Sequence, residues 1–268
     1  MNIECNEIRE KMKAIKAFVL DMDGTIYLGN ELFPYTQSFL ERVKETNRKY
    51  YFFTNNSSKD LHAYMNKLDN FGIHIEEYQM MISTHVMLRY LEKHHKGASV
   101  YVVGTPALRK EFYEHGWVWD EVQPDIVILG FDTTLQYEKL EKACHFIRNG
   151  AIYYGINPDL NCPMEHDTCI PDCGSIAKLI EASTGRYPEF FGKPSRKTLE
   201  YIIEVTGCKE DEIAIIGDRL YTDIAVADQS DVTSILVLSG ETKLEDIATS
   251  DIKPDIVIDH IGKLKEVL

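Results

Sequence analysis

No stretch of this 268-residue chain approaches the roughly 18 consecutive apolar residues that a membrane-spanning helix requires. The first residues, Met1-Asn2-Ile3-Glu4-Cys5-Asn6-Glu7, lack a basic segment followed by an apolar one, so no secretory leader is expected and a cytoplasmic location is. The sequons at Asn55 and Asn56 then carry no meaning. Positive charge is scarce: 29 Lys and Arg face 43 Asp and Glu, a net charge of -14. That balance excludes a broad surface for nucleic acid or anionic membrane, which would need clustered cations. A small anionic ligand stays possible, because short-range charges in a site outweigh a distant field that salt screens. Low-complexity tracts are absent, and the 15 tyrosines are too dispersed for a base-stacking platform.

Closely spaced cysteine pairs are nearly absent too. Of the six cysteines, Cys162, Cys169 and Cys173 gather around His166 and invite a zinc reading. Only Cys169 and Cys173 have the spacing that structural zinc favours, so reduced thiols are the expected state.

What is present is ordinary for a globular protein: 44% hydrophobic and 27% charged residues. Strand-like apolar runs alternate with helix-period segments, which predicts an α/β fold: a three-layer, Rossmann-like parallel sheet with covering helices. Thr36, Ser57 or Ser58, and Ser195 are placed to cap helices, and residues 1–15 suggest a short terminal one. More chain lies between Thr54 and Lys193 than one crossover needs, and it holds strands of its own near 99–103, 125–129 and 151–154. It reads as a smaller α/β unit inserted in the first. The expected division is a core of 1–83 and 187–268 around an insertion of 84–186.

Four apolar runs end in polar loops, three of them glycine-bearing. Ala17-Phe18-Val19-Leu20 leads into Asp21-Met22-Asp23-Gly24-Thr25, and Tyr50-Tyr51-Phe52-Phe53 into Thr54-Asn55-Asn56-Ser57. Glu189-Phe190-Phe191 leads into Gly192-Lys193-Pro194-Ser195, and Ile213-Ala214-Ile215-Ile216 into Gly217-Asp218-Arg219, with Asp223 just beyond. In open α/β sheets ligands bind outside the carboxyl ends of strands, so these loops would share one crevice. Asp21 and Asp23, two apart on an extended segment, point the same way. Carboxylates so close repel unless a cation or proton separates them, and Mg²⁺ uses such oxygens together with substrate phosphate. Each station also has a plainer reading: an Asx turn at Asp21, a helix cap at Thr54 and Asn55, a surface lysine at 193, turn residues at Asp218 and Asp223.

The four stations in this order resemble the haloacid dehalogenase superfamily of phosphohydrolases. The phrases DMDGTIYLG (21–29), FTNNS (53–57), Asn157-Pro158-Asp159 and GKPS (192–195) look like its NagD-like, or p-nitrophenyl phosphatase, branch. The resemblance implies that the insertion is the large α/β cap of that branch. It implies Asp21 as nucleophile, Asp23 as general acid and base, and Lys193 as a catalytic charge. Gly24, Thr54, Asn55, Asn56 and Lys193 would hold the phosphate, and Asn157 would read the substrate from the cap. Mg²⁺ would bind Asp21, the Asp23 carbonyl and Asp218, with Asp223 behind them.

The expected activity is Mg²⁺-dependent hydrolysis of small phosphate monoesters (nucleotide, sugar, glycol or pyridoxal phosphates) through an aspartyl-phosphate. A phosphomutase is the alternative within enzymes, and a non-catalytic phosphometabolite-binding protein the alternative outside them. The expected partner is a small phosphorylated metabolite, with homodimerisation implied by the resemblance.

Overall fold

The strand Ala17–Leu20 is buried at all four positions and hydrogen-bonded along both edges. A strand covered on both faces has no solvent-facing side, so its sequence is an unbroken apolar run rather than an alternation. The computed structural model describes residues 3–164 and 168–268. In it this strand lies inside a six-stranded sheet ordered Ile256–Ile258, Thr233–Val237, Ile213–Gly217, Ala17–Leu20, Lys49–Thr54, Met80–Ile82. The pairings from Ile256–Ile258 through to Lys49–Thr54 are parallel.

Register matters most for function. Leu20 stands opposite Ile216 on one side and Phe52 on the other. Asp21, Gly217-Asp218 and Phe53-Thr54 therefore leave the sheet at one edge, the carboxyl ends of three adjacent parallel strands.

The described chain falls into two compact units. The first contains the chain up to Thr54, Met65–Met81 and Leu199–Leu268; the second contains Asn55–Tyr64 and Ile82–Thr198. Relative to the division read from sequence, residues 55–64, 82–83 and 187–198 fall in the second unit. Their hydrogen bonds explain this. The Phe131 N–H donates to Ser57 Oγ at 2.9 Å, Thr105 Oγ1 donates to the Ser58 carbonyl at 2.9 Å, and Asn55 is bonded to the Lys193 backbone.

In the second unit a parallel sheet runs Glu189–Phe190, Ile152–Gly155, Ile126–Leu129, Ser99–Val103, Val118–Trp119. Val127, Leu129 and Tyr153 of this sheet share a core with Leu140 and Ile147 of the helix Tyr137–Arg148 and Ile176 and Ile180 of the helix Cys173–Thr184. Asn161–Met164 and Thr168–Pro171 pair as an antiparallel ribbon. His166 lies outside the described residues.

Two expected caps are replaced. The helix Leu61–Asn70 is capped by Asp60, whose Oδ1 accepts from the Ala63 N–H at 2.9 Å, because Ser57 and Ser58 are engaged elsewhere. Thr36 starts its helix but points its hydroxyl at the Ile26 carbonyl, 2.8 Å away. The terminal helix spans Ile3–Met12, where Met12 is fully buried and Lys11 pairs with Asp255 at 2.8 Å. Among the described residues no helix is long and apolar enough to cross a membrane.

Candidate active site

Asp21 continues the strand ladder one residue past Leu20, its N–H donating to the Ile216 carbonyl at 2.8 Å. Across that pairing, the chain leaves Ile213–Gly217 through Asp218 and Arg219 into a single π turn, Leu220–Ile224. Such one-turn widenings recur at functional sites. Here the turn folds Asp223 back, so that its Oδ2 accepts the Arg219 N–H at 3.1 Å. The result is a trio: Asp21, Asp218 and Asp223 each offer a carboxylate oxygen, all within 4.8 Å of one another. Among the described residues this is the metal-capable cluster, and the cysteines form none.

Glycine makes the crowding possible. Gly24 sits at φ +84°, and a Cβ there would lie 2.5 Å from Asp218 Oδ2. A Cβ on Gly240 would also strike the Asp218 carboxylate, and one on Gly217 would strike Asp223. The Gly24 carbonyl is held in turn by Ser239 Oγ at 2.7 Å.

Asp218 is 2% exposed. Its Oδ2 accepts the Glu241 N–H at 2.7 Å, while its Oδ1 is buried with no hydrogen-bond partner. An orphaned buried acceptor costs about 1–3 kcal/mol unless something else satisfies it. An all-oxygen carboxylate set with one buried oxygen unclaimed fits a hard divalent cation. Burial pushes the Asp218 carboxyl well above the usual carboxylate range, and the charges of Asp223 and Asp21 push the same way; Arg219 and the Glu241 N–H oppose them. A bound cation would reverse the sign of that field.

The sequence reading names Asp21, Asp218 and Asp223 for one place, and their carboxylate oxygens lie together. The side chain of Asp23, half-buried, is outside the trio. Thr54 closes its strand with 8% exposure. Ser239, Gly240 and Glu241 escaped the sequence reading, and Arg219 was quoted there without a role. For Ser239 and Gly240 a signal was available, since the run 234–238 ends in a glycine loop as three of the other four runs do.

Asn55 and Lys193 are joined in the second unit. The Asn55 amide donates to the Lys193 carbonyl at 2.9 Å and accepts the Lys193 N–H at 2.8 Å, a reciprocal clamp across 138 residues. Ser83 Oγ donates to the Asn55 carbonyl at 2.7 Å. Gly192 must lack a side chain, because a Cβ would meet Asn55 Oδ1 at 2.6 Å and the Ile156 carbonyl at 2.8 Å. Lys193 is only 3% exposed, unlike a surface lysine.

Asn56 is half-buried, and its Oδ1 accepts from both the N–H and the hydroxyl of Ser58. Asn157 is fully buried, and its Nδ2 donates to Asp159 Oδ2 and Asp172 Oδ1, each at 3.0 Å. Cys173 is buried, with Sγ 3.3 Å from the Leu129 carbonyl, and burial pushes its thiol far up, which makes it a poor metal ligand.

Family models match the chain twice. A haloacid dehalogenase-like hydrolase model covers residues 18–118, and a second haloacid dehalogenase hydrolase-like model covers 190–264. The chain is 33% identical over 250 residues to the 5'-nucleotidase YutF of Bacillus subtilis, covering 93% of this chain and 97% of that one. It is 31% identical over 244 residues to the acid sugar phosphatase of Staphylococcus aureus, covering 91% and 94%. A solved 4-nitrophenylphosphatase of Thermotoga maritima superposes with a TM-score of 0.92 at 42% identity, covering 96% of this chain and 98% of that one.

Proposed function

This chain belongs to the haloacid dehalogenase-like hydrolases, and from that premise we propose that it hydrolyses small phosphate monoesters as a member of their NagD-like, or p-nitrophenyl phosphatase, branch. The observation that carries the reading is the trio of Asp21, Asp218 and Asp223, its last two members buried, with Asp218 Oδ1 unclaimed. Mg²⁺ held by Asp21, Asp218 and the Asp23 carbonyl, with Asp223 steadying them, would supply positive charge against the phosphoryl oxygens.

The chain's own groups do the rest. Asp21, ionised, attacks phosphorus in line and becomes an aspartyl-phosphate. Asp23 gives its proton to the leaving alcohol and then takes one from the water that cleaves the intermediate. Phosphoryl transfer runs through a loose transition state with charge spread on equatorial oxygens, so positioned donors matter more than covalent help. The Thr54 hydroxyl, the main-chain N–H of Asn55 and the Lys193 ammonium are assigned to those oxygens, with Gly24 and Asn56 shaping the same loops. Asn157 braces the cap loop that reads the rest of the substrate.

The two curated relatives, named as a 5'-nucleotidase and an acid sugar phosphatase, support nucleotides and sugar phosphates as first candidates. Glycol phosphates and pyridoxal phosphate follow, all in a cytoplasmic setting, with a homodimer as the working state.

The test is phosphate release from a panel of these esters, in Mg²⁺ and in EDTA, beside an Asp21→Asn control. Release should require Mg²⁺ and fall by roughly 10⁴-fold or more in the control, the scale of a lost nucleophile. Full activity of Asp21→Asn would overturn the assignment.

A further inference from the structure

Arg219, the residue after Asp218, has its side chain held by a carboxylate of the neighbouring loop. Its Nε donates to Glu241 Oε2 at 2.8 Å, and Tyr221 donates its hydroxyl to Glu241 Oε1 at 2.9 Å. Glu241 also gives its own N–H to Asp218 Oδ2. The Arg219 side chain is 17% exposed, Arg219 follows Asp218 directly in the chain, and its own N–H is held by Asp223 Oδ2 at 3.1 Å. Burial pulls its pKa down, but the fields of Asp218 and Asp21 outweigh that and hold the guanidinium firmly charged.

A cluster of three carboxylates must persist when no cation is present, because the protein folds and turns over between binding events. Mutual repulsion then works against the turn at Gly24, the π turn and the 239–242 loop at once. A fixed guanidinium next in chain to Asp218 reduces that repulsion without occupying a ligand position.

We propose that Arg219, braced by Glu241 and Tyr221, is a positioning residue that acts as the resident countercharge of the acidic trio, holding it together when the cation is absent and opposing the cation when it binds. The inference rests on the cation reading above. It has a signature that a merely structural residue would not give. Removing the charge of Arg219 should strengthen the response to Mg²⁺, whereas removing the charge of Glu241 should weaken it, since the guanidinium then acts on the trio alone.

The experiment is thermal unfolding of wild type, Arg219→Met and Glu241→Gln in EDTA and in saturating Mg²⁺, at matched ionic strength, with Mg²⁺ titrated by calorimetry. Arg219→Met should lose roughly 4 °C or more in EDTA and regain most of it in Mg²⁺. It should bind Mg²⁺ about tenfold more tightly than wild type, one opposing charge having gone. Glu241→Gln, which keeps the main-chain N–H to Asp218, should show a smaller Mg²⁺-induced rise than wild type. Equal rises in wild type and Arg219→Met would overturn the countercharge while leaving the cation reading standing. A wild type indifferent to Mg²⁺ would overturn both. Should Arg219→Met fail to fold even in Mg²⁺, Glu241→Gln decides: a smaller rise supports the proposal, and an equal or larger one ends it.

Discussion

Gly24 and Asp218 touch without room for a methyl group between them: a Cβ on Gly24 would fall 2.5 Å from Asp218 Oδ2. The backbone at Gly24 is also left-handed, at φ +84°. Gly24→Ala therefore meets two penalties, strain at a positive φ and displacement of a buried carboxylate. We expect a loss of about 1–3 kcal/mol in denaturant unfolding, together with weaker Mg²⁺ binding. Unchanged Mg²⁺ affinity would show that Asp218 can shift without cost to the cation site.

The Asn55–Lys193 clamp makes a separable prediction. Asn55→Ala removes both partners of a buried main-chain N–H and carbonyl, which should cost about 1–3 kcal/mol. Phosphate release should fall with it, because Lys193 loses its fixed main-chain position. The rise in thermal midpoint on adding Mg²⁺ should stay at the wild-type value, since the acidic trio belongs to the other unit. Calorimetric scans with and without Mg²⁺ check this directly.

Asn157 is buried between Asp159 and Asp172. Asn157→Ala leaves two nearby carboxylates without their shared donor, at a cost of roughly 1–3 kcal/mol. Asn157→Asp adds a third acidic group and should be the worse of the two at neutral pH. If urea midpoints rank the variants in the opposite order, the amide is not what holds the loop.

Asp255 links acidity to stability. Burial alone would raise its pKa, but the Lys11 ammonium and both the N–H and the hydroxyl of Ser234 hold it below the ordinary 3.8. The native state then binds fewer protons than the unfolded chain in this range, so the contribution is present above the ordinary value and is lost as pH falls through the native one. Urea midpoints followed from about pH 6 down to about pH 3 should drop less steeply for Asp255→Asn than for wild type. Parallel curves would remove Asp255 from the account.

Much of this was readable in the residues because strand ends announce themselves. Ala17–Leu20 and Ile213–Gly217 are buried on both faces, so their apolar runs stop where the site begins. What could not be read was which loop oxygens would share a center. Asp223 joins Asp218 only through a π turn, and no period in the sequence signals one. The Asp60 cap was masked by Ser57 and Ser58, better placed on paper but engaged by Phe131 and Asn56 in three dimensions. Arg219 and Glu241 were illegible for a further reason: a salt bridge between residues 22 apart depends on two strands lying side by side, which local pattern does not encode.

The parallel pairing of Ala17–Leu20 with Ile213–Gly217 also has a consequence in time. A ribosome delivers Asp218 and Asp223 about two hundred residues after Asp21. Domains commonly fold as the N-terminal part emerges. Here the strand bearing Asp21 can pair early with Lys49–Thr54 on one edge, but its other edge stays open until Ile213–Gly217 arrives. The trio of Asp21, Asp218 and Asp223 thus waits on chain made long after its first member, and its assembly reports that the two distant strands have paired.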